Sequence, residues 1–289
     1  MRGLATQSAE VAVRGSSITW VRGEEIGRGA MGLVFRALDQ KTGEVIAVKE
    51  VALDTGQGGS GEALRGALEN ELKIGQALRH PRIVSFLGYD FIGQSLYIYA
   101  EYMPGGSIAQ VLQQFGPLGE YLMPKCTREA AEGLEYLHRQ TPPILHRDIK
   151  GANLLVGLDC QVKLADFGCS KLSDEDSTMA NTMKGTIPWM APEVIMRKGY
   201  GRKADIWSLG CVVVEMATAK PPWGRMDNPI AAMRKIGMSS ELPPVPDSLS
   251  PAARSFVSRC LDRDKENRPS AADLLGHEFL QPACDGADL

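Results

Sequence analysis

The stretch His146-Arg-Asp-Ile-Lys-Gly-Ala-Asn153 carries more information about the fold of this chain than any other. It places a base, an acid and an amide within eight residues. Pro142-Pro143 lies just upstream, so the preceding helix is predicted to have ended and the stretch to be a loop. Asp166-Phe-Gly168 follows thirteen residues after the stretch.

These two motifs together fit the chemistry of phosphoryl transfer. Asp148 can accept or orient the proton of a hydroxyl group, and Lys150 can neutralise the group in transfer. Asn153 and Asp166 supply the oxygen ligands that Mg²⁺ prefers. Each of these residues alone is equally compatible with an ordinary turn, so the interpretation rests on their joint occurrence.

A glycine-rich segment, Gly27-Arg-Gly-Ala-Met-Gly-Leu-Val34, lies upstream. Closely spaced glycines let backbone N–H groups approach phosphate oxygens. The same triplet of glycines also occurs in dinucleotide-binding turns and in flexible hairpins. A dinucleotide fold needs a helix directly after the glycines, whereas a strand pattern continues here to Ala47-Val-Lys49. The lysine on that strand favours a nucleoside triphosphate.

Glu71 is predicted to lie beside the apolar stripe of a helix, because apolar residues recur at helical spacing from Leu64 to Leu78. A carboxylate in that position needs a cationic partner. We predict that the partner is Lys49, which this salt bridge would hold toward the α- and β-phosphates of a nucleotide. The alternative is a surface glutamate that only solvates the helix.

Length and composition exclude several classes of protein. The 289 residues suffice for one large domain or for two lobes. The 32 Lys and Arg against 35 Asp and Glu leave a net charge of −3, so we expect no nucleic-acid partner and no membrane partner. The six cysteines form no CxxC pair, which predicts a cytoplasmic protein. The longest apolar run, Leu209 to Ala217, is interrupted by Glu215 and predicts a buried core helix.

The secondary-structure patterns divide the chain into two parts. Strand patterns extend from Ile18 to about Lys49 and recur, after one helix, from Ile83 to Tyr89 and from Ser95 to Tyr102. Pro104-Gly-Gly106 can form a hinge, and helical periodicity dominates beyond it. We predict an α+β chain with a flexible tail (1–17), a small antiparallel β-rich lobe with one main helix (18–103), a larger α-helical lobe (104–281) and a C-terminal tail (282–289).

The order of these motifs resembles the eukaryotic protein kinases over roughly residues 20 to 281. Ala191-Pro-Glu193, Asp205-Ile-Trp-Ser-Leu-Gly210 and Asn267-Arg-Pro269 stand where that family keeps the scaffold of its large lobe. The resemblance implies a bilobal fold that uses ATP and Mg²⁺. It also implies that Glu193 pairs with Arg268 and that Asp205 braces the catalytic loop.

The resemblance is to the serine/threonine branch, as shown by Lys150 and by Gly185-Thr186. Within that branch, the segment Gly185-Thr-Ile-Pro-Trp-Met-Ala-Pro-Glu193 is similar to mitogen-activated protein (MAP) kinase kinase kinases, with the Ste20-like kinases as the alternative. This similarity implies that the domain phosphorylates the activation loop of a MAP kinase kinase. We expect the catalytic domain to be monomeric.

Two further alternatives come from other functional classes. A weakly active, kinase-like scaffold would bind nucleotide and partners, but Lys49, Asp148 and Asp166 are all intact. A small-molecule kinase is disfavoured because the segment Gly185–Glu193, against which a protein substrate would lie, is also intact.

The resemblance also implies the nucleotide contacts. Adenine is expected between Val34 and Ala47 on one side and Leu155 on the other. The backbone of Glu101 and Met103 is expected to bind it at the hinge. The implied nucleotide-binding set is Ile26, Gly27, Arg28, Gly29, Ala30, Met31, Gly32, Leu33, Val34, Ala47, Lys49, Glu101, Met103 and Leu155.

Two positions depart from the family pattern, and both lie behind the expected nucleotide. Gly75 stands where a large apolar residue is usual, and Ala100 stands at the gatekeeper position, where Met, Leu or Thr is commoner. We predict an enlarged pocket that accepts bulky purine-like inhibitors, with Phe86 partly filling the space. If Phe86 does not fill it, the helix is weakly positioned, since Gly66 and Gly75 each cost about 1 kcal/mol of helix propensity relative to Ala.

The segment 169–190 carries several hydroxyl groups. Arg147 could receive a phosphate there through charge-assisted hydrogen bonds. We predict Thr178 or Thr182 as the activating phosphorylation site, and we expect Thr186 to contact the catalytic aspartate instead. The alternative is that these are ordinary loop residues.

Two basic pairs and three histidines are not assigned to the catalytic site. The basic pairs Arg197-Lys198 and Arg202-Lys203 are interpreted as a solvated face, with substrate docking as the alternative. His80, His138 and His277 have no partners at metal-ligand spacing.

Overall fold

The structure is a computed structural model that describes residues 18–29, 32–53, 60–172 and 185–281. The chain divides into two units, of which the first comprises Met1–Arg79 with Val84–Met103 and the second His80–Ile83 with Pro104–Leu289. The predicted tails, 1–17 and 282–289, lie outside the described residues.

The first unit contains a five-stranded antiparallel sheet with the strand order β1-β2-β3-β5-β4. Its elements are β1 (Trp20–Gly29), β2 (Gly32–Asp39), β3 (Val45–Ala52), helix α1 (Ser60–Ala77), β4 (Phe86–Ile92) and β5 (Ser95–Glu101). Side chains alternate between the two faces, as the period of a strand requires. In β2, Phe35 and Ala37 are buried while Arg36 and Leu38 are exposed.

Each face of this sheet is covered by apolar side chains. On one face Trp20 packs against Phe35 with ring centroids 5.4 Å apart and donates from Nε1 to Tyr99 Oη at 3.0 Å. On the other face, α1 packs against β3 and β5. The buried residues of that second cluster are Val51, Leu68, Leu72, Leu96 and Ile98.

The second unit is mainly helical. Its helices are α2 (Ile108–Phe115), α3 (Met123–His138), α4 (Pro192–Ile195), α5 (Arg202–Thr218), α6 (Pro229–Met238), α7 (Pro251–Cys260) and α8 (Ala271–Leu275). Four short strands form two antiparallel pairs, β6 (Ile144–Leu145) with β9 (Lys171–Leu172) and β7 (Leu154–Val156) with β8 (Val162–Leu164). The predicted α+β class, with a small β-rich lobe and a larger helical lobe, is confirmed.

Several helices begin where local side-chain chemistry allows it. Ser107 and Gln110 form a capping box at the start of α2. Asn228 Oδ1 accepts hydrogen bonds from two backbone N–H groups at the start of α6, and Pro229 occupies its first position. Ser250 and Pro251 serve α7 in the same way.

Helix α5 is the centre of the second unit. Every residue from Ala204 to Met216 is buried, so the predicted core helix is confirmed. A Cβ atom at Gly210 would lie 2.6 Å from Cβ of Cys260, which shows that glycine lets α7 approach α5 closely. Among the described residues, no helix is both long and apolar enough to cross a membrane.

One segment differs from the predicted lobe 18–103, because His80–Ile83 belongs to the second unit. The carbonyl of Arg82 accepts a hydrogen bond from the N–H of Leu164 at 2.8 Å, and its guanidinium pairs with Glu132 at 2.8 Å. A segment of four residues is too short to show a periodicity that would reveal these partners.

Candidate functional site

The segment His146–Asn153 is a loop that ends in a 3-10 turn over Gly151–Asn153, as its sequence predicts. Arg147 has a positive φ of 71°, a backbone conformation that is uncommon for residues other than glycine. Such conformations cost free energy and persist where surrounding contacts hold the backbone.

The carboxylate of Asp148 is held by three side chains. Thr186 Oγ1 donates to Oδ1 at 2.8 Å, which confirms the predicted contact of Thr186 with this aspartate. Lys150 Nζ donates to Oδ2 at 2.7 Å and to Thr186 Oγ1 at 2.6 Å. Asn153 Nδ2 donates to Oδ2 at 3.0 Å. The four residues form one hydrogen-bonded group that fixes the orientation of the carboxylate.

Asp205, fully buried on α5, supports the loop that carries this group. Its carboxylate accepts from the backbone N–H groups of His146 at 3.0 Å and Arg147 at 2.9 Å, which confirms that it braces the loop. Tyr200 Oη donates to it at 2.7 Å, and His138 Nε2 lies 2.8 Å away. Burial alone would raise the pKa of Asp205, but these hydrogen bonds and the charge of His138 lower it below its usual value.

Glu215, also buried on α5, joins the loop to the segment that follows Thr186. Its Oε2 accepts from the N–H of Gly151 at 2.9 Å and from Nε1 of Trp189 at 2.8 Å. A Cβ atom at Gly151 would lie 2.7 Å from Glu215 Oε1, so a larger residue there would displace this carboxylate. Burial raises the pKa of Glu215.

In the sequence, Glu215 stands out only as a charge that interrupts an apolar run. A signal for its role was nevertheless present, because a carboxylate inside a predicted buried helix must find hydrogen-bond partners elsewhere in the fold. Its partners could not be named, since Gly151 and Trp189 are 64 and 26 residues away in sequence.

The predicted pair of Glu193 and Arg268 is confirmed as a buried, bidentate ion pair. Arg268 Nη1 and Nη2 donate to the two carboxylate oxygens at 2.7 and 2.9 Å. The guanidinium carbon lies 5.0 Å from the ring centroid of Trp207, and Lys203 Nζ donates to the carbonyl of Arg268. Lys203 therefore has a structural contact rather than lying wholly on a solvated face.

His146 connects the catalytic loop with Asp166-Phe-Gly168. Its Nε2 lies 3.1 Å from the carbonyl oxygen of Ala165, and its ring is 5.3 Å from the ring of Phe167. Burial lowers the pKa of His146, so the imidazole is neutral and donates to that carbonyl through Nε2.

The two residues predicted to hold Mg²⁺ have suitable oxygen atoms. Asp166 is exposed and has a positive φ of 63°. Asn153 uses Nδ2 to donate to Asp148, so its amide oxygen is the atom of the right type for a cation. In the described part of the chain, no three His, Cys, Asp or Glu side chains lie together in a way that could hold a metal ion. This donor set fits Mg²⁺, which keeps waters and phosphate oxygens as ligands rather than using an all-protein cage.

In the first unit, Lys49 Nζ lies 2.7 Å from Glu71 Oε1, which confirms the predicted salt bridge. Lys49 pairs in register with Val34 on β2, and Ala47 pairs with Ala100 on β5. Because directly paired residues share a face of a sheet, the structure brings these four predicted nucleotide or gatekeeper residues to the face that α1 covers.

The glycine-rich segment forms the ends of β1 and β2, where Gly29 pairs with Gly32. Gly32 has a φ of 142°, and a Cβ atom there would lie 2.1 Å from the carbonyl oxygen of Glu50. Only glycine fits at this position. The predicted contacts Ala30 and Met31 lie outside the described residues.

The other predicted nucleotide residues are placed as follows. Ile26, Gly27 and Leu33 are half-buried on β1 and β2, and Arg28 is exposed and paired with Glu25 at 3.0 Å. The N–H of Glu101 donates to the carbonyl of Ser85 at 2.9 Å, and Met103 is buried. In the second unit, Leu155 is half-buried on β7. Their roles toward a nucleotide remain predictions.

Phe86 occupies the space beside Gly75, as predicted. A Cβ atom at Gly75 would lie 2.9 Å from Cδ2 of Phe86, closer than real side chains approach. Phe86 also pairs in register with Ala100. The ring on β4 therefore compensates for the missing side chain on α1.

Arg147, the predicted phosphate receptor, is buried, with its guanidinium carbon 5.2 Å from the ring centroid of Tyr200. The predicted phosphorylation sites Thr178 and Thr182 lie outside the described residues.

The family described as the protein kinase domain matches residues 20–280. The chain belongs to the protein kinase family. Members of this family generally use ATP and Mg²⁺. In this protein kinase, the functional roles of Lys49, Asp148 and Asp166 are predictions from the order of the motifs.

The chain is similar to kinases of distant organisms. It is 46% identical over 272 residues to Mitogen-activated protein kinase kinase kinase 19 of Mus musculus, covering 92% of this chain and 20% of that protein. It is 45% identical over 267 residues to Mitogen-activated protein kinase kinase kinase ANP1 of Arabidopsis thaliana, covering 91% of this chain and 40% of that protein. For Mitogen-activated protein kinase kinase kinase A of Dictyostelium discoideum the identity is 40% over 281 residues, with coverages of 97% and 30%. The chain thus spans a fifth to two fifths of the length of these relatives.

Proposed function

We propose that this kinase domain transfers the γ-phosphoryl group of ATP to a serine or threonine of a protein, and that the protein is a MAP kinase kinase. The observation that carries the proposal is the hydrogen-bonded group of Asp148, Lys150 and Thr186. The similarity to relatives named as MAP kinase kinase kinases supports the choice of substrate.

The Asp148 carboxylate acts on the substrate hydroxyl. Lys150, Asn153 and Thr186 hold it in one orientation, so little reorganisation is needed when a hydroxyl group arrives. In that orientation the carboxylate positions the hydroxyl and accepts its proton as the new bond to phosphorus forms. Asp205 and Glu215 act indirectly, because they hold the backbone of this loop at His146, Arg147 and Gly151.

Two lysines offset negative charge. Lys150 lies beside Asp148 and would neutralise charge on the phosphoryl group in transfer. Lys49 is held by Glu71 and would bind the α- and β-phosphates. Mg²⁺, when bound, offsets charge on the phosphate oxygens, and we propose Asn153 and Asp166 as the residues that hold it.

The test is transfer of label from radioactive ATP with Mg²⁺ to a panel of catalytically inactive MAP kinase kinases. Wild type is compared with Asp148→Asn and with the matched control Asp159→Asn, an exposed aspartate in the turn between β7 and β8. We expect wild type and the control to label a MAP kinase kinase. We expect Asp148→Asn to lose at least about 100-fold in rate, within the range typical of general acid–base groups.

The other outcomes separate the alternatives. Labelling of a generic basic protein alone would keep the serine/threonine kinase and reject the MAP kinase kinase substrate in favour of the Ste20-like alternative. If wild type binds ATP and has a phosphorylated activation segment but transfers no label, the enzyme proposal is wrong and the scaffold interpretation replaces it.

We also propose that Thr178 or Thr182 is the activating phosphorylation site. Arg147, directly before Asp148 in the catalytic loop, supports this proposal. A nearby guanidinium group can bind a phosphate through two parallel N–H···O hydrogen bonds. Mass spectrometry of active protein should find phosphate at one of these residues. Full activity of protein without phosphate in the segment 173–184 would contradict the proposal.

A further inference from the structure

A buried glutamate in the middle of α3 lies outside the hydrogen-bonded group around Asp148. Glu129 is only 6% exposed, and its helix packs against β8. Its Oε2 accepts a hydrogen bond from the backbone N–H of Val162 at 2.5 Å. Val162 is the first residue of β8, so this carboxylate holds the start of the strand against α3. A buried carboxylate is tolerated where hydrogen bonds and a cation compensate for its lost hydration.

Arg82 supplies the cation. Its Nη1 lies 3.0 Å from Oε1 of Glu129, the carboxylate oxygen that Val162 does not use. Its Nε lies 2.8 Å from Oε2 of Glu132, which stands three residues after Glu129 and therefore on the same side of α3. The guanidinium group joins the two carboxylates, and both oxygens of Glu129 have a partner. The orientation of Glu129 is fixed in this way.

The backbone of Arg82 holds the other end of β8. Its carbonyl accepts a hydrogen bond from the N–H of Leu164 at 2.8 Å, and the next residue, Ile83, bridges to Leu164. Gly133 on α3 lies against the same point, because a Cβ atom there would be 2.9 Å from Cδ1 of Leu164 and 3.0 Å from the carbonyl oxygen of Arg82. The strand is therefore held at both of its ends, and Arg82 takes part in each contact.

Strand β8 leads directly to Asp166. Only Ala165 lies between Leu164, the last residue of β8, and this aspartate. The N–H of Ala165 donates to the carbonyl of Asn153 at 2.9 Å, and its own carbonyl oxygen is 3.1 Å from Nε2 of His146. A shift of β8 would therefore move Asp166 relative to Asn153, the other residue proposed to hold Mg²⁺.

We propose that Glu129, held by Arg82, is a positioning residue for the Mg²⁺ site. Its hydrogen bond to Val162 fixes β8 and thereby the place of Asp166. The inference rests on the proposed function, in which Asn153 and Asp166 hold the ion. It deepens that function, because it names the buried groups on which the geometry of the ion site depends.

Three buried carboxylates then share the support of the site. Asp205 and Glu215 accept hydrogen bonds from N–H groups of the catalytic loop, whereas Glu129 accepts one from the strand that precedes Asp166. Loss of a group that orients a metal ligand typically lowers metal affinity by about 10–100-fold. Because Glu129 acts through the backbone of β8 and not directly on a ligand, we expect an effect at the lower end of this range.

The experiment measures the binding of a non-hydrolysable ATP analogue to the full chain by calorimetry, once with Mg²⁺ and once with EDTA. The compared quantity is the factor by which Mg²⁺ increases the affinity, called the Mg²⁺ factor. The test variant is Glu129→Leu, which fills the space but cannot accept a hydrogen bond. The matched control is Glu135→Leu, which removes the ion pair with exposed Arg139 on the same helix.

We expect Glu129→Leu to lower the Mg²⁺ factor about tenfold and to leave the affinity in EDTA unchanged. Glu129→Gln keeps an oxygen that can accept from Val162, so it should behave close to wild type. The control should also behave as wild type. Urea unfolding of each variant checks that it is folded under the conditions of the binding measurement.

A second variant removes both charges of the pair. Arg82→Leu combined with Glu129→Leu leaves neither partner buried alone, and replacement of a buried ion pair by apolar residues is often neutral for stability. This double variant still lacks the acceptor for the N–H of Val162. It should therefore show the same loss of the Mg²⁺ factor, and it decides the question if Glu129→Leu does not fold.

Three outcomes would overturn the proposal. One is an unchanged Mg²⁺ factor in folded Glu129→Leu or in the double variant. Another is an equal loss of affinity with Mg²⁺ and with EDTA, which would indicate general damage to nucleotide binding. The third is a loss in Glu129→Gln as large as in Glu129→Leu, which would show that the hydrogen bond to Val162 is not the cause.

The binding measurement needs no phosphoryl transfer, so this proposal and the proposed function can fail separately. If wild type labels a MAP kinase kinase and Glu129→Leu keeps the full Mg²⁺ factor, the proposed function stands and the positioning role is rejected. If wild type transfers no label but the Mg²⁺ factor falls in Glu129→Leu, the positioning role stands and the proposed function is wrong. No effect of Mg²⁺ on wild type would reject both the assignment of Asn153 and Asp166 and the role of Glu129.

Discussion

The contact between Gly75 and Phe86 yields a sharp prediction, because one side chain occupies the room that another position lacks. Gly75→Leu would place a Cβ atom 2.9 Å from Cδ2 and 3.3 Å from Cγ of Phe86. The ring or the helix must then move. Phe86→Ala removes the ring and leaves space beside α1, and the double variant restores an apolar side chain to that space.

The size of each effect follows from packing. Overpacking lowers the free energy of unfolding by about 1–3 kcal/mol. Replacing a glycine within a helix raises it by about 1 kcal/mol. We therefore expect Gly75→Leu to lose about 1 kcal/mol of stability. Phe86 is half-buried, so Phe86→Ala should cost on the order of 2 kcal/mol, less than a fully buried Phe. The stability that the double variant loses should be smaller than the sum of the two single losses by at least about 1 kcal/mol.

The assay is urea unfolding of wild type, both single variants and the double variant, combined with KM for ATP. Glu71 lies one helical turn before Gly75, so a displaced α1 should weaken the contact of Lys49 with Glu71 and raise KM in Gly75→Leu. Gln76→Leu, at an exposed neighbouring position on α1, is the control for introducing a leucine into this turn of the helix.

Additive stabilities, within about 0.5 kcal/mol, would refute this reasoning. They would show that the side chains at positions 75 and 86 do not compete for the same space. An increase of KM in Gln76→Leu equal to that in Gly75→Leu would likewise show that the packing of Phe86 is not the cause.

Three further predictions concern other positions. Ala100→Met should lower the potency of bulky purine-like inhibitors and spare that of ordinary ones, because the added side chain fills the gatekeeper position; equal potency on both proteins in an inhibition assay would reject the enlarged pocket. Arg268→Met should cost about 3–5 kcal/mol in urea unfolding, because it leaves Glu193 buried without its partner; a loss below about 1 kcal/mol would contradict the buried pair. Burial raises the pKa of Glu215 above its ordinary 4.5. The folded protein therefore loses stability as the pH rises from 4.5 through this raised pKa, because the buried carboxyl group becomes charged. Glu215→Gln, which keeps an acceptor for Gly151, should therefore gain stability relative to wild type between pH 4 and pH 7.5, and a difference independent of pH would contradict this.

Much of the candidate site could be predicted because its motifs are local. The loop His146–Asn153 contains the base, the acid and the amide within eight residues, so their proximity needs no tertiary information. The pair of Lys49 and Glu71 is different, since 22 residues separate the two. It could still be predicted because a charge beside an apolar stripe has few acceptable partners.

The sequence by itself determined the family, the two-lobed α+β class, the strand and helix patterns, and the residue types of the catalytic group. These depend on motifs and on periodicity within single elements. Even there, the strand predicted from Ile83 to Tyr89 begins only at Phe86, because Ile83 bridges to Leu164 in the second unit instead.

Only the tertiary structure decided which distant segments meet. The partners of Glu215 and the ring of Phe86 beside Gly75 both connect residues on different elements. Sequence pattern shows which side of an element is buried or exposed. It does not show what covers the buried side, or which exposed sides become neighbours, because those depend on how the elements pack together.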